Sequence, residues 1–386
     1  MGPLQNLKII EFAGLGAAPF AAMLLADLGA EVIRIDRPGR PVSPLPEPRK
    51  DLLNRGRKSI LIDLKSDRGR TLALKLVTGA DGLTESYRPG VMENMGLGPE
   101  ECLALNPRLV YGRLSGWGHQ GPLAKSAGHD INYIALSGVL AAIGNQDQPP
   151  VLPLNLVADF AGGGLMLAFG MLAALLEVKT SGKGQVVDVA MIEGSALMMT
   201  LMHSLASMGL WSEQRGDNLL DGAAPFYRSY ECADGKYLAV GALEPQFYQA
   251  LIELLGLEDE AIMQAQMERD KWPEQTNLMA ARIKLKTRDQ WAELGGAGDA
   301  CLTPVLTMSE SVNHPQMKAR EVYLEKDGLR QVAPTPAFSR SKTALDLPPP
   351  VPGEHTCLVL GEMGLSREEI AVLLSEKIVE QSEGKS

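Results

Sequence analysis

The chain is poor in cysteine: Cys102, Cys232, Cys301 and Cys357 are its only four, far apart and without a CxxC pair. No histidine stands near them at metal-ligand spacing, so neither a disulfide framework nor a metal site is indicated, and reduced structural thiols are expected. An excess of positive charge is also missing. The formal net charge is −10, which excludes general nucleic-acid binding, an interaction that rests on Lys and Arg neutralising phosphates. No apolar run reads as long and uninterrupted enough to cross a bilayer, and the start MGPLQNLKII lacks the charged and apolar zones of a signal peptide. An intracellular globular protein without a membrane span is therefore expected, large enough for one big core or two ordinary ones.

What is present is an α/β pattern. The stretch LKIIEFAGLGAAPFAAMLLADLGAEVIRID reads as strand, glycine turn, helix, glycine turn and strand, a βαβ unit that implies a parallel sheet. SILIDL, GRTLALKLVTGAD and RLVYGRLSG continue it as strand, helix and a strand ending at Gly116. From about residue 128 to 176 the pattern turns helical and strongly apolar, predicting buried helices, and GQVVDVAMIEG adds a strand before a methionine-rich helix. Short aromatic strands and polar turns then mark a smaller α+β domain. The expected division is a large α/β domain over 1–190 and 331–386, linkers over 191–224 and 316–330, and a small domain over 225–315. The proline-rich APTPAFSRSKTALDLPPPVPGEH reads as an extended connection, and SREEIAVLLSEKIV as a closing helix capped by Ser366 with a Glu three residues on.

GLGAAP after the first strand, with Asp36 ending the second, imitates a dinucleotide fingerprint, but Pro19 stands where the third glycine belongs. A glycine turn opening a helix suffices. Arg34, Arg37, Arg55, Arg57, Lys58 and Arg88 lie near strand ends that a parallel sheet gathers on one edge, where they are candidates for holding an anion.

His129, one of only five histidines, follows Gly128 and precedes the apolar periodicity of Ile131, Ile134 and Val139, which places it at a helix N-terminus. Unpaired backbone N–H groups there can stabilise an oxyanion, and the helix dipole favours a neutral imidazole able to accept a proton. Asp159 leads into a helix with Gly162, Gly163 and Gly164. As an N-cap it is ordinary, but three bare glycines would let a substrate approach closely. Glu244 ends an apolar strand before Pro245, a position usual for a solvated acid.

Over nearly its whole length the sequence resembles the α-methylacyl-CoA racemases of the family III CoA-transferase superfamily. The carriers include APFAAMLLADLGAEVIRIDRPG, NRGRKSILIDLK, YRPGVMENMGLGPEE, SGKGQVVDVAMIEG and, for the racemases in particular, GHDINY, NLVADFAGGG and GALEPQFY. The resemblance implies a Rossmann-like large domain completed by the C-terminal segment, a small domain, and two chains interlocked as a homodimer. It implies inversion of the 2-methyl centre of a branched acyl-CoA thioester by 1,1-proton transfer through an enolate, with no metal and no cofactor, coenzyme A being part of the substrate. His129 matches the base for the S-substrate, Asp159 the base for the R-substrate, and Glu244 the acid that orients the histidine from the other subunit. Asp130 supports the site, its backbone N–H matching the donor to the thioester oxygen. The substrate-binding positions carried over are Leu15, Arg37, Leu61, Ile62, Asp63, Leu64, Asp81, Gly82, Arg88, Gly128, Ile131, Asn132 and Tyr133, with Arg37 and Arg88 addressing phosphates.

ESYRPG departs from the commoner ENFRPG at Ser86. The terminus EGKS is not the S-K-L type of peroxisomal signal, so the compartment stays open between the cytoplasm for a bacterial member and peroxisome or mitochondrion for an animal one. Two rivals are a CoA-transferase working through an aspartyl-CoA anhydride at Asp130, and a non-catalytic acyl-CoA carrier. Retention of His129, Asp159 and Glu244 counts against both. The methionine-rich stretch 191–208 offers either an adaptable surface for the acyl chain or plain core.

Overall fold

The computed structural model describes residues 2–39, 43–296, 298–343 and 345–383. Met1 and residues 384–386, which the leader and targeting-signal readings include, lie outside them, as does residue 344 of the proline-rich connection. The chain splits into two compact units, Met1–Ser137 with Leu154–Met198 and Tyr323–Ser386, and Gly138–Pro153 with Met199–Val322.

In chain order the elements are β1 Lys8–Phe12, α1 Ala17–Asp27, β2 Glu31–Asp36, β3 Arg57–Ile62, α2 Asp67–Thr78, β4 Gly82–Glu85, α3 Val91–Asn94, α4 Pro99–Leu105 and β5 Val110–Ser115. Next come α5 Asp130–Leu136, α6 Val139–Ala142, a π-helical coil Leu156–Leu165 running into α7 Met166–Ser181, β6 Gln185–Ala190, α8 Met191–Met198 and α9 Thr200–Ser207. The second unit continues with β7 Tyr227–Glu231, β8 Tyr237–Gly241, α10 Pro245–Leu255, α11 Trp272–Ile283, α12 Arg288–Gly295, β9 Leu302–Pro304, α13 Met308–Ser311 and α14 Pro315–Ala319. The chain returns to the first unit as β10 Tyr323–Lys326, β11 Leu329–Val332, α15 Thr356–Glu362, α16 Arg367–Ser375 and β12 Val379–Glu380.

The first unit is built on a seven-stranded sheet of order β12-β3-β2-β1-β4-β5-β6. All its pairings are parallel except β12 on β3, and the run 3-2-1-4-5-6 is the Rossmann order. Its inner strands β1, β2 and β4 are buried along nearly their whole length because helices cover both faces. Ile10, Ile33, Ile60, Leu83 and Tyr111 pack with side chains of α2, α4, α15 and α16, while Ile9, Val32 and Val110 pack with α1 and α7. Ser66 caps α2 and Ser366 caps α16, the latter in a reciprocal box with Glu369. The second unit carries the antiparallel sheet β7-β8-β9 around its own core of Phe226, Leu251, Trp272 and Trp291.

Two expectations for the apolar middle of the chain need correction. The helical run Leu156–Ser181 is long and apolar enough to cross a bilayer by length and composition, with a mean hydropathy of 1.8, although half of that window is buried inside the fold. Nor are the helices wholly buried: Leu165, Phe169 and Leu176 are 51%, 65% and 68% exposed, and their spacing puts them on one stripe.

Gly162, Gly163 and Gly164 are buried, and they serve packing. A Cβ on Gly162 would stand 2.7 Å from Ser195 N, on Gly163 2.8 Å from Met191 Cγ, and on Gly164 2.5 Å from Ala17 O. The bare backbone expected to receive a substrate instead lets the π coil press against α1 and α8. The wider coil puts Asp159 in its first turn, with Asn155 and not Asp159 as N-cap. Such coils are rare and concentrate at functional sites.

Candidate active site

Leaving β1 the chain crosses to β2 on one side of the sheet, and leaving β4 it crosses to β5 on the other. This reversal opens a crevice at the carboxyl ends of the strands. A cavity of about 370 Å³ occupies it, lined by Gly14, Leu15 and Gly16 after β1, Arg37 after β2, Ser86, Tyr87 and Arg88 after β4, and Ser115, Gly116 and Trp117 at the end of β5. Gly128, His129, Tyr133, Asp159 and Met191 also line it.

Of the six basic residues considered for an anion, two reach this cavity. Arg37 and Arg88 are exposed, and neither guanidinium has an ion-pair or hydrogen-bond partner among the described residues. The others are neutralised inside the fold. Arg34 is 3% exposed and bonds Glu11 and Asp36, and fully buried Arg57 shares Glu11 and bonds the carbonyl of Pro19. Arg55 pairs with Asp27, and Lys58 with Glu31 and Glu362. Pro19, at the third-glycine position, is buried in α1, and its carbonyl serves as a structural contact for Arg57.

His129 is the N-cap of α5 and exposed. Its N–H donates to Asn132 Oδ1 at 3.0 Å, and the Asn132 N–H donates back to its carbonyl at 2.8 Å. Tyr133, one turn on, donates its hydroxyl to Gly128 O at 2.6 Å and meets Trp117 edge to face with centroids 4.8 Å apart. Burial pushes this phenol up to about 12, so it stays a donor. Gly116 has no Cβ because one would lie 2.2 Å from the Tyr133 ring.

Asp130 ties the two candidate bases together. It is 5% exposed, directly follows His129, and its Oδ2 accepts the N–H groups of Ala158 at 2.7 Å and Asp159 at 2.8 Å. Its Oδ1 is buried with no hydrogen-bond partner among the described residues. Asp159 Oδ2 accepts Asn155 Nδ2 at 3.1 Å, and Gly16, at φ 67°, leaves room above it, since a Cβ there would stand 3.3 Å from that oxygen. Burial raises the Asp159 carboxyl above the usual Asp value, opposed by the Asn155 bond and by His129 and reinforced by the Asp130 charge. The arrangement offers an exposed imidazole and a partly desolvated carboxyl in the lining of one cavity, together with the Arg37 and Arg88 guanidinium groups.

Other positions fall elsewhere. Leu61, Ile62 and Leu64 are buried in the core at the end of β3, and Asp63 accepts the Lys65 N–H. Asp81 and Gly82 lie at the amino end of β4, away from its cavity end; Asp81 Oδ2 accepts the Lys8 N–H at 2.8 Å, and Gly82 abuts Met171 and Ile9. Ile131 and Asn132 are exposed and off the cavity wall. Glu244, in the second unit, is the exposed N-cap of α10 with Pro245 at the first helical position. Trp117 and Met191, lining residues not singled out for binding, follow a strand end, which is the signal that marks them. Of the methionine-rich stretch, Met191 reaches the cavity, while Met198 and Met208 are exposed.

Fold and site together define a doubly wound α/β protein with two exposed guanidinium groups, an imidazole and a carboxyl lining a cavity at the switch in strand order. The chain belongs to CoA-transferase family III, matching it over residues 4–356. It is 45% identical over 392 residues to the alpha-methylacyl-CoA racemase of Homo sapiens, with 99% of each chain covered, and 45% identical over 391 residues to that of Mus musculus, again with 99% of each covered. Among solved structures, a CAIB/BAIF family protein from Brucella suis superposes with a TM-score of 0.82 at 27% identity, covering 94% of this chain and 99% of that one.

Proposed function

We propose that this protein is an α-methylacyl-CoA racemase, inverting the carbon beside the thioester by moving one proton off one face and one onto the other. The observation that carries the reading is that His129 and Asp159 line one cavity, linked through Asp130, together with Arg37 and Arg88. The identity to two racemases over essentially the whole chain supports it.

The α-proton passes to His129 from one epimer or to Asp159 from the other. The electrons of the broken C–H bond move onto the thioester oxygen, where the Asp130 N–H would donate a hydrogen bond to the growing charge. The opposite group then protonates the α-carbon, the enolate collapses, and the two bases end with their protons exchanged. General acid–base help of this kind contributes about 10²–10⁴-fold per group. Two side chains suffice, so the reaction as written uses no cofactor. Arg37 and Arg88 take the phosphates of the coenzyme A portion, and an intracellular acyl-CoA pool is the setting this implies.

The active enzyme on this reading is an interlocked homodimer in which Glu244 of the partner subunit orients His129. The stripe of exposed Leu165, Phe169 and Leu176 and the exposed carboxyl of Glu244 support that assembly. Co-expressed His129→Ala and Glu244→Ala chains should then form heterodimers with one intact site and measurable activity. Absence of complementation in heterodimers shown to form would place both residues in one subunit's site or rule Glu244 out.

Proton NMR of the protein with one epimer of a 2-methylacyl-CoA in deuterated water, without a carboxylate acceptor, tests the activity. Loss of the α-proton signal with appearance of the other epimer is the expected result, and His129→Ala and Asp159→Ala should block exchange from opposite epimers. An unexchanged α-proton, with coenzyme A passing to an added carboxylate, would make the chain a transferase with Asp130 as nucleophile.

A further inference from the structure

Glu85 is the last residue of β4, 3% exposed, and its Oε2 accepts the Tyr87 N–H at 2.7 Å. The residues that follow it, Ser86, Tyr87, Arg88 and Pro89, form one wall of the cavity. We infer that Glu85 is a positioning residue for the coenzyme A portion of the substrate: its buried carboxyl group, bonded to the Tyr87 N–H, fixes the turn that presents Arg88 to the cavity. The inference rests on the acyl-CoA reading of that cavity.

The surroundings of this carboxyl are unusual for an acid. Arg113 on β5 is its register partner and Asp188 on β6 is the partner of Arg113, so the three side chains share one sheet face. The guanidinium bonds Asp188 at 2.8 Å and lies 3.8 Å from Glu93 on α3, and it forms no ion pair with Glu85. His119, whose Nε2 is buried with no hydrogen-bond partner among the described residues, and buried Tyr111 also lie among these charges. One guanidinium thus stands among three carboxyls and pairs with two of them, leaving Glu85 over. Burial first, with the Glu93 and Asp188 charges, pushes it up to about 8 against the Tyr87 N–H and Arg113. At neutral pH it holds the turn as a carboxylic acid, keeping negative charge away from a rim that must receive phosphates. Its ionisation places a charge behind Arg88 and weakens that rim.

The test is titration calorimetry of acetyl-CoA into the full chain and its Glu85→Gln and Glu85→Ala variants at pH 7 and pH 9.5. Tyr87 and Tyr133, both pushed up to about 12, keep their protons across that window. Wild type should lose about three- to tenfold in affinity between the two pH values, the range for one poorly screened charge. Glu85→Gln keeps an oxygen for the Tyr87 N–H and cannot ionise, so its affinity should match wild type at pH 7 and stay level at pH 9.5. Glu85→Ala should bind about fivefold more weakly at pH 7, the worth of one lost hydrogen bond, with KM rising and kcat little changed. A Gln variant that follows the wild-type pH slope, or a folded Ala variant that binds like wild type, overturns the inference alone. Wild type that binds no acetyl-CoA at either pH overturns the acyl-CoA reading, and this inference with it.

Discussion

Replacing Asn155 by alanine should shift the acid limb of the racemase pH profile upward. Asn155 Nδ2 is the side-chain donor to the Asp159 carboxyl, at 3.1 Å, and Asn155 makes no side-chain bond as N-cap of the π coil, so the change removes one hydrogen bond and no cap. A hydrogen bond to a charged group is worth about 1.5–3 kcal/mol, and the exposure of Asn155 sets this one at the lower end, roughly one pKa unit. The bond favours the ionised form, so its loss raises further a carboxyl that burial already holds high. The two bases share one proton during turnover, and both working forms, imidazole with carboxylic acid and imidazolium with carboxylate, carry the same total. Activity is therefore lost in acid when the pair takes a second proton. That second proton goes to the more acidic member of the pair, and carboxyls are in general more acidic than imidazoles. The measurement is kcat/KM for epimerisation against pH, started from each epimer separately. The acid limb should rise by about one unit in both directions while the alkaline limb stays, because equal proton content makes the two profiles superimpose. A limb that stays put or moves down, or profiles from the two epimers that separate, would refute the shared-proton argument.

Asp130→Asn separates the racemase from the transferase: the amide keeps an oxygen for the Ala158 and Asp159 N–H groups, so racemisation should fall by less than about tenfold, whereas a nucleophilic carboxylate would lose essentially all turnover. Gly164→Ala drives a methyl into Ala17 O at 2.5 Å and Phe20 at 2.8 Å, and thermal unfolding should show a loss of about 1–3 kcal/mol together with weaker exchange at the Asp159 face. An unchanged midpoint would mean that α1 and the π coil can separate freely. Glu85→Gln should stabilise the fold at alkaline pH. The raised carboxyl makes folding take up a proton, so wild-type stability declines as pH climbs from the ordinary Glu value toward about 8, by on the order of 3–5 kcal/mol, and levels off above that. Chemical denaturation at pH 5 and pH 8.5 should show the variant gaining over wild type only at the higher pH; equal gains at both would assign the effect to packing.

The parts of the site legible in the sequence are those whose geometry is local. A glycine, a histidine and an apolar period are enough to put His129 at the start of α5, and alternating strand and helix patterns suffice for β1, α1 and β2. The basic residues were not separable in that way. What distinguishes Arg37 from Arg34 is Glu11, 23 positions away from Arg34, and what removes Lys58 is Glu362, 304 positions away. Charge pairing across the fold leaves no mark on local sequence. The glycine triplet fails for a related reason: a bare backbone suits a substrate and a crossing helix equally well, and only Ala17 and Ser195, from two other segments, decide between them. The resemblance to the racemases named Asp130, but it took the hydrogen bonds to show its carboxyl gripping the backbone of the second base.

The two-residue strand β12 also governs when the fold can finish. The core strands β1 to β6 are complete by Ala190, yet β3 receives its outer neighbour only at Val379 and Glu380, where Thr356 Oγ1 also joins Leu61 N to Glu380 O. On the ribosome, the whole second unit and the β10–β11 hairpin emerge while one edge of the sheet still presents open N–H and C=O groups. Until the last segment arrives, that edge is a template for pairing with any other nascent chain. Early release, as well as mutation at the site, is thus a route by which this protein would be lost.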